Sequence, residues 1–168
     1  MSGRPEGRLR ALGQQLSPSA PPDAPTPAAA AAAAHLGGAW ATASAPDRTE
    51  IKRWFDTWGA HVAAKEFDPA RELFGEEALG FGTWMDFVQG REELINRQWR
   101  SVWPTIKDFH HRTEDALEVT VSPDRLMAVG LVLWTSTGFE EDGTEFERPG
   151  RTTAVFTRAS TQQEFRCE

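Results

Sequence analysis

Acid–base chemistry in a small pocket needs a carboxylate or imidazole whose pKa is set by burial. It also needs a donor for the charge that develops on the substrate. The groups this chain offers are Asp86, Asp108, His61, His110, His111, Arg148 and Arg151, and there is no tyrosine to add a phenolic donor. Asp86 lies between Trp84 and Phe87, where a carboxylate would be partly desolvated and could act as a base. The competing reading is a loop aspartate that caps backbone N–H groups. His110 and His111 are adjacent in an extended run, so their side chains leave opposite faces and do not chelate one metal together. His111 shares a face with Phe109, read as inward, and is the candidate general base, against a hydrogen-bonded histidine at the edge of a core. Arg151 follows Gly150 and alternates with Thr153 and Val155. Its planar fork suits an anionic group or an oxyanion, and a surface salt bridge is the plainer alternative. Phe81, Trp84 and Trp134, on or beside strands, and His61, beside the apolar stripe of a helix, are the expected ligand contacts. Trp54, Trp58, Trp99 and Trp103 fall at helical spacing and are read as core.

Other chemistries find no residues. Four histidines and one cysteine show no zinc-ligand spacing, so no metal is expected. Gly80-Phe-Gly82 lacks the third glycine and the immediate helix of a phosphate loop, and there is no nucleophile elbow. No cofactor is expected.

The elements that must position these residues can be read in order. Ile51, Trp54, Phe55, Trp58 and Val62 mark one stripe of an amphipathic helix ending near Lys65, with Asp47 as its cap and Glu50 three residues on. Asp68-Pro69 restarts a short helix carrying Ala70, Leu73 and Phe74. Leu79 to Trp84 reads as extended. Arg91 to Trp103 reads as a helix with Leu94, Ile95, Trp99, Val102 and Trp103 inward and Pro104 ending it. Thr105 to Val121 is extended with a bulge, and Leu126 to Thr137 and Glu145 to Arg158 are long strands. The turn Glu140-Glu141-Asp142-Gly143-Thr144 joins the last two into a hairpin, Gly143 accepting the positive φ such turns require. Helices to one side of an antiparallel sheet make an α+β domain.

Residues 1–46 stand apart. They hold seven of the 11 prolines and the run Ala28 to Ala34, too little to bury, and are read as a disordered arm. Three arginines with few acids also fit an organelle-targeting segment loosely. The arm has three arginines against Glu6 and Asp23, so of 18 basic and 25 acidic residues the remainder keeps 15 and 23, a net of −8. That balance argues against nucleic acid or an anionic membrane as partner, and no apolar run is long enough to span a bilayer. The single Cys167 excludes an internal disulfide framework, so a reducing, by default cytoplasmic, compartment is expected.

Phe81-Gly-Thr83, Gly90-Arg-Glu-Glu-Leu94, Gln98-Trp99, Val102-Trp-Pro104, Trp134-Thr-Ser-Thr-Gly-Phe139, Asp142-Gly143 and Arg148-Pro-Gly-Arg-Thr-Thr153, in this order, resemble the SnoaL-like branch of the nuclear transport factor 2-like superfamily. The resemblance implies a SnoaL-like domain over residues 47–158, a cone-shaped curved sheet wrapped around the N-terminal helices with a cavity at its open end. It further implies a small apolar metabolite as ligand, a homodimer, and cofactor-free isomerisation, cyclisation, dehydration or hydrolysis. Without a tyrosine, the oxyanion hole of ketosteroid isomerases cannot be built as such, while Asp86 with Arg151 resembles the carboxylate–arginine sites of epoxide hydrolases in this fold. Members usually continue into a last, Trp-containing strand. Here 159–168 reads as an irregular tail, which forms a poor strand, is replaced by a partner's strand, or marks a truncated paralogue. A non-catalytic binding or oligomerisation module is the alternative function.

Overall fold

The computed structural model describes residues 40–83 and 86–168. The arm up to residue 39 and the Trp84 contact therefore lie outside the described residues. Strand β1 (Ala41–Thr42) pairs antiparallel with Val121 and Thr120, and helix α1 (Ala45–Ala64) follows at once. Its N-cap is Ser44, whose Oγ accepts the Asp47 N–H at 3.4 Å, and Pro46 sits in the first turn, where its missing N–H leaves no bond unmade. The cap expected at Asp47 is thus filled three residues earlier, which frees the Asp47 side chain to turn inward. Ile51, Trp54, Phe55 and Val62 bury the stripe, Trp58 lies half-buried at its margin, and Lys65 ends the helix in the left-handed conformation, φ 62°.

After α2 (Phe67–Arg71), β2 (Leu79–Phe81) and β3 (Phe87–Gln89) form a small separate hairpin. The helical stretch from Arg91 follows as α3. It opens with an α-turn (Arg91–Glu93), relaxes to π-helix over Leu94–Trp99, and closes through Arg100–Val102 and a 3-10 turn, Trp103–Thr105. Its expected inward residues, Leu94, Ile95, Trp99, Val102 and Trp103, are all buried.

The six-stranded main sheet joins β1 to β4 (Ile106–His111), β5 (Leu117–Val121), β6 (Met127–Phe139), β7 (Glu145–Thr157) and β8 (Arg166–Cys167), in the order β1-β5-β6-β7-β8 with β4 paired to β6 off that path. Along one side β6 pairs first with β5 and then with β4, while β7 runs beside its whole 13-residue length. Gly143, at φ 84°, makes the β6–β7 turn. Between Lys107 and His110 the register slips, with Asp108 at φ 53°, so β4 carries an extra residue against β6. The result is an α+β fold with a curved antiparallel sheet against the helices.

The concave face is set by parity. Leu117, Val119 and Val121, then Ala128, Gly130 and Val132, then Ala154 and Phe156 are buried, and Gly130 and Phe156 meet the aromatic rings of α1. Gly130 is required here. A Cβ on it would stand 2.6 Å from Phe55 Cε2 and 3.1 Å from Ile51 Cγ2, both in fully buried side chains. Trp54 lies edge-on to Phe55, Phe74 and Phe156, and its indole N–H donates to the Leu73 carbonyl at 3.1 Å. Aromatic rings fill this part of the cone.

The tail expected to be irregular folds onto the body. Phe165 and Cys167 are buried, β8 pairs with Phe156 and Thr157, and Gly75 N–H donates to the Cys167 carbonyl at 2.7 Å. An ion cluster anchors it. Asp47, 2% exposed, accepts from Arg125 at 2.8 Å and from Arg158 at 3.0 Å, while Arg158 lies 3.7 Å from Glu50 and 3.9 Å above the Phe165 ring. One carboxylate therefore joins the start of α1, the β5–β6 turn and the end of β7.

Candidate functional site

On the concave face, polar residues gather around Trp134. His111 (β4) and Gly150 (β7) both stand opposite Trp134 (β6), and Arg148 stands opposite Ser136. His111 is 7% exposed, and its Nδ1 lies 2.9 Å from the Phe55 carbonyl of α1. A carbonyl only accepts, so Nδ1 carries the proton and Nε2 presents a lone pair. That approach depends on Gly59, where a Cβ would come within 3.0 Å of Nδ1. Among the described residues Nε2 is buried without a hydrogen-bond partner, and so is the neighbouring donor Trp58 Nε1. Burial pushes the imidazole down from 6.5 to about 4, against the Phe55 carbonyl and the charge of Asp56, which raise it, and with His110, which lowers it further. The ring is neutral at physiological pH.

Rings connect His111 to the edge of the site. Its centroid is 5.1 Å from Trp58 and 5.0 Å from Phe109, and Phe109 is 5.3 Å from Trp134. The Trp134 indole crosses β7 in the space Gly150 leaves, since a Cβ there would collide with it. The Arg148 guanidinium lies 5.1 Å from the Trp134 ring centre.

The other expected site residues are not brought together with these. Asp86 is exposed at a bend before β3 rather than desolvated between aromatic walls. Arg151 stands opposite Leu133 with its exposed side chain on the convex face, so it cannot share a site with His111. Among the described residues Asp86 and Arg151 make no ion pair. Phe81 is 80% exposed and packs on Phe87 at the tip of the small hairpin. His61, half-buried at the end of α1, has Nδ1 2.8 Å from Glu66 Oε2. The concave arginine is Arg148, three positions before Arg151. Gly59 and Gly150 also shape the site, and in the sequence neither differs from any other glycine. Among the described residues no group of three or more His, Cys, Asp or Glu could hold a metal, and no helix is long and apolar enough to cross a membrane.

The SnoaL-like domain family matches residues 43–163. The chain belongs to that family. No curated protein matches it in sequence. Among solved structures, this SnoaL-like domain is similar to a ketosteroid isomerase-like protein from Erwinia carotovora, with TM-score 0.61 and 13% identity over 74% of this chain and 92% of that one. It is also similar to a nuclear transport factor 2-like superfamily protein from Salmonella enterica, with TM-score 0.60 and 15% identity over 74% and 88%. A nuclear transport factor 2-like protein with a cystatin-like fold from Novosphingobium aromaticivorans gives TM-score 0.52 and 21% identity over 84% of each chain. At these identities the likeness establishes the fold of the SnoaL-like domain, and its chemistry rests on its own residues.

Proposed function

We propose that this SnoaL-like domain binds a small, largely apolar molecule at the Trp134 end of its concave face. His111 accepts a proton from it without a cofactor, as an isomerisation or dehydration requires. One observation carries this reading: Nδ1 of His111 is tied to the Phe55 carbonyl while Nε2 is buried with no partner among the described residues. A buried polar atom left unpaired costs about 1–3 kcal/mol, a cost that a ligand donating to Nε2 removes. Trp134 and Phe109 supply the apolar wall, and Phe109, half-buried and packed on the rings of both His111 and Trp134, is the side chain a ligand reaching Nε2 would have to displace.

Exchange of the α-hydrogens of 2-tetralone, a flat apolar ketone, with deuterated solvent tests the reading by NMR. The wild-type chain should accelerate exchange over buffer, and His111→Phe, which keeps a ring in the space, should lose about 100-fold or more of that acceleration. Equal exchange by both proteins would remove His111 from the role.

A second reading, an oligomerisation module, draws on the opposite face. From Met127 to Phe139 the convex row of β6 carries no charge, and Met127, Leu131, Leu133 and Phe139 are exposed there beside Val155 of β7. Glu118, Glu147 and Arg151 rim this patch with both signs. An apolar centre with a mixed rim is self-complementary under a two-fold axis, so the occupant we propose is a second copy of this chain. Light scattering should then give a dimer mass for the wild type and a monomer for Leu133→Lys. A monomeric wild type would refute it.

A further inference from the structure

We propose that Arg148 is the anion subsite of the concave face, and that the molecule bound there carries a carboxylate on a flat apolar body. This rests on the concave-face reading above and names the class of ligand it would take.

The other arginines that are buried or half-buried have partners. Arg158 meets Asp47 and Glu50, Arg71 meets Glu92, and Arg91 donates to the carbonyls of Phe74 and Arg71. Arg48 donates to the Leu117 carbonyl, and Arg112 pairs with Asp115. Arg148 is half-buried on the concave face, and among the described residues no carboxylate lies within ion-pair distance and none of its guanidinium N–H groups is donated. This occurs in a chain with 25 acidic residues against 18 basic ones, where a carboxylate neighbour is the easiest partner to find. Burial alone pulls the guanidinium below its ordinary pKa, with nothing opposing it. The cation is nevertheless oriented. Gly150 lets the Trp134 indole lie across β7, and the guanidinium lies along that indole at 5.1 Å. A guanidinium held by an aromatic face keeps its donor fork free for two parallel bonds to a carboxylate.

The same indole is the first of the rings leading through Phe109 to His111. A flat molecule whose carboxylate meets Arg148 would therefore lay its body on Trp134 and direct its far end toward Nε2. Arg148 holds the anion, and the proton-accepting nitrogen lies beyond Phe109.

Calorimetric titration of the full chain with 2-naphthoate, and separately with the uncharged 2-naphthamide, tests this. The wild type should bind the acid at least about tenfold more tightly than the amide, the scale of one charge-assisted hydrogen bond. Arg148→Gln should equalise the two with an unchanged melting temperature. Arg148→Lys, which keeps the charge and loses the fork, should recover part of the preference. Amide binding with no preference for the acid would overturn the subsite and leave the concave-face reading standing. A preference that survives in Arg148→Gln would also overturn it, and failure of both probes to bind would overturn both readings.

Discussion

Replacing Asp47 with alanine should cost about 3–5 kcal/mol of unfolding free energy, the usual consequence of removing one partner from a buried ion pair. Arg158 is as buried as Asp47, their side chains being 3% and 2% exposed. Without Asp47 its charge keeps Glu50, at 3.7 Å, the Arg125 carbonyl and the face of Phe165. The loss is a large fraction of the roughly 5–15 kcal/mol that holds a domain together, so urea denaturation should show a much lower midpoint. Arg125→Ala should cost less, because that side chain is nearly half-exposed. The pair also sets an acid limit. Hydrogen bonds from Arg125 first, then Ser44 and Arg158, hold the Asp47 carboxyl below its ordinary 3.8 against the opposing effect of burial. A depressed carboxyl contributes stability that is complete above 3.8 and is lost as pH falls through the lower folded value. An unchanged midpoint in Asp47→Ala would show that the cluster does not anchor the tail.

The second large effect is a loss of stability between pH 6.5 and 4, caused by His111. The folded imidazole titrates at about 4 and the ordinary value is 6.5, so within this window the unfolded chain binds the extra proton. Stability is therefore complete above 6.5 and declines as pH falls toward 4. The total is on the order of 3 kcal/mol, since each tenfold change in proton affinity is worth about 1.36 kcal/mol. His111→Phe should flatten this limb of the stability curve while leaving the Asp47 limb below it. Denaturation series at pH 7.5, 6, 5 and 4 on both proteins would separate the two, and parallel curves would show that the imidazole is not held neutral in the fold.

Some of this was legible in the residues. Adjacent histidines on a strand must diverge, and Phe109 marked the inner side, so His111 inward and His110 outward followed from geometry alone. The inward set of α3 was equally plain from spacing, although the π-helical turn within it was not. Strand β7 was harder, because it is apolar on both parities, Val155 on one side and Ala154 with Phe156 on the other. The alternation of Arg151 with Thr153 and Val155 drew attention to one row, whereas the buried row is the other one and contains Arg148. Asp47 has the signature of a cap, and its partners Arg125 and Arg158 are 78 and 111 residues away, beyond any local pattern. The tail was opaque for a related reason. Two strand residues and one ring, Phe165, are too few to show a period.

The outer margin of β7 has a consequence for solubility. Among the described residues β8 covers only Phe156 and Thr157, and Glu168 N–H reaches the Val155 carbonyl, so the strand from Glu145 to Ala154 presents uncovered backbone. Such a margin invites other sheets to dock and grow into aggregates. Pro149 lies midway along it with no N–H to offer, and Glu145, Glu147, Arg148 and Arg151 stud it with charge. Those residues make the stretch a poor template for a stray strand. Pro149→Val, which restores the N–H and adds a strand-forming side chain, would remove one of those guards.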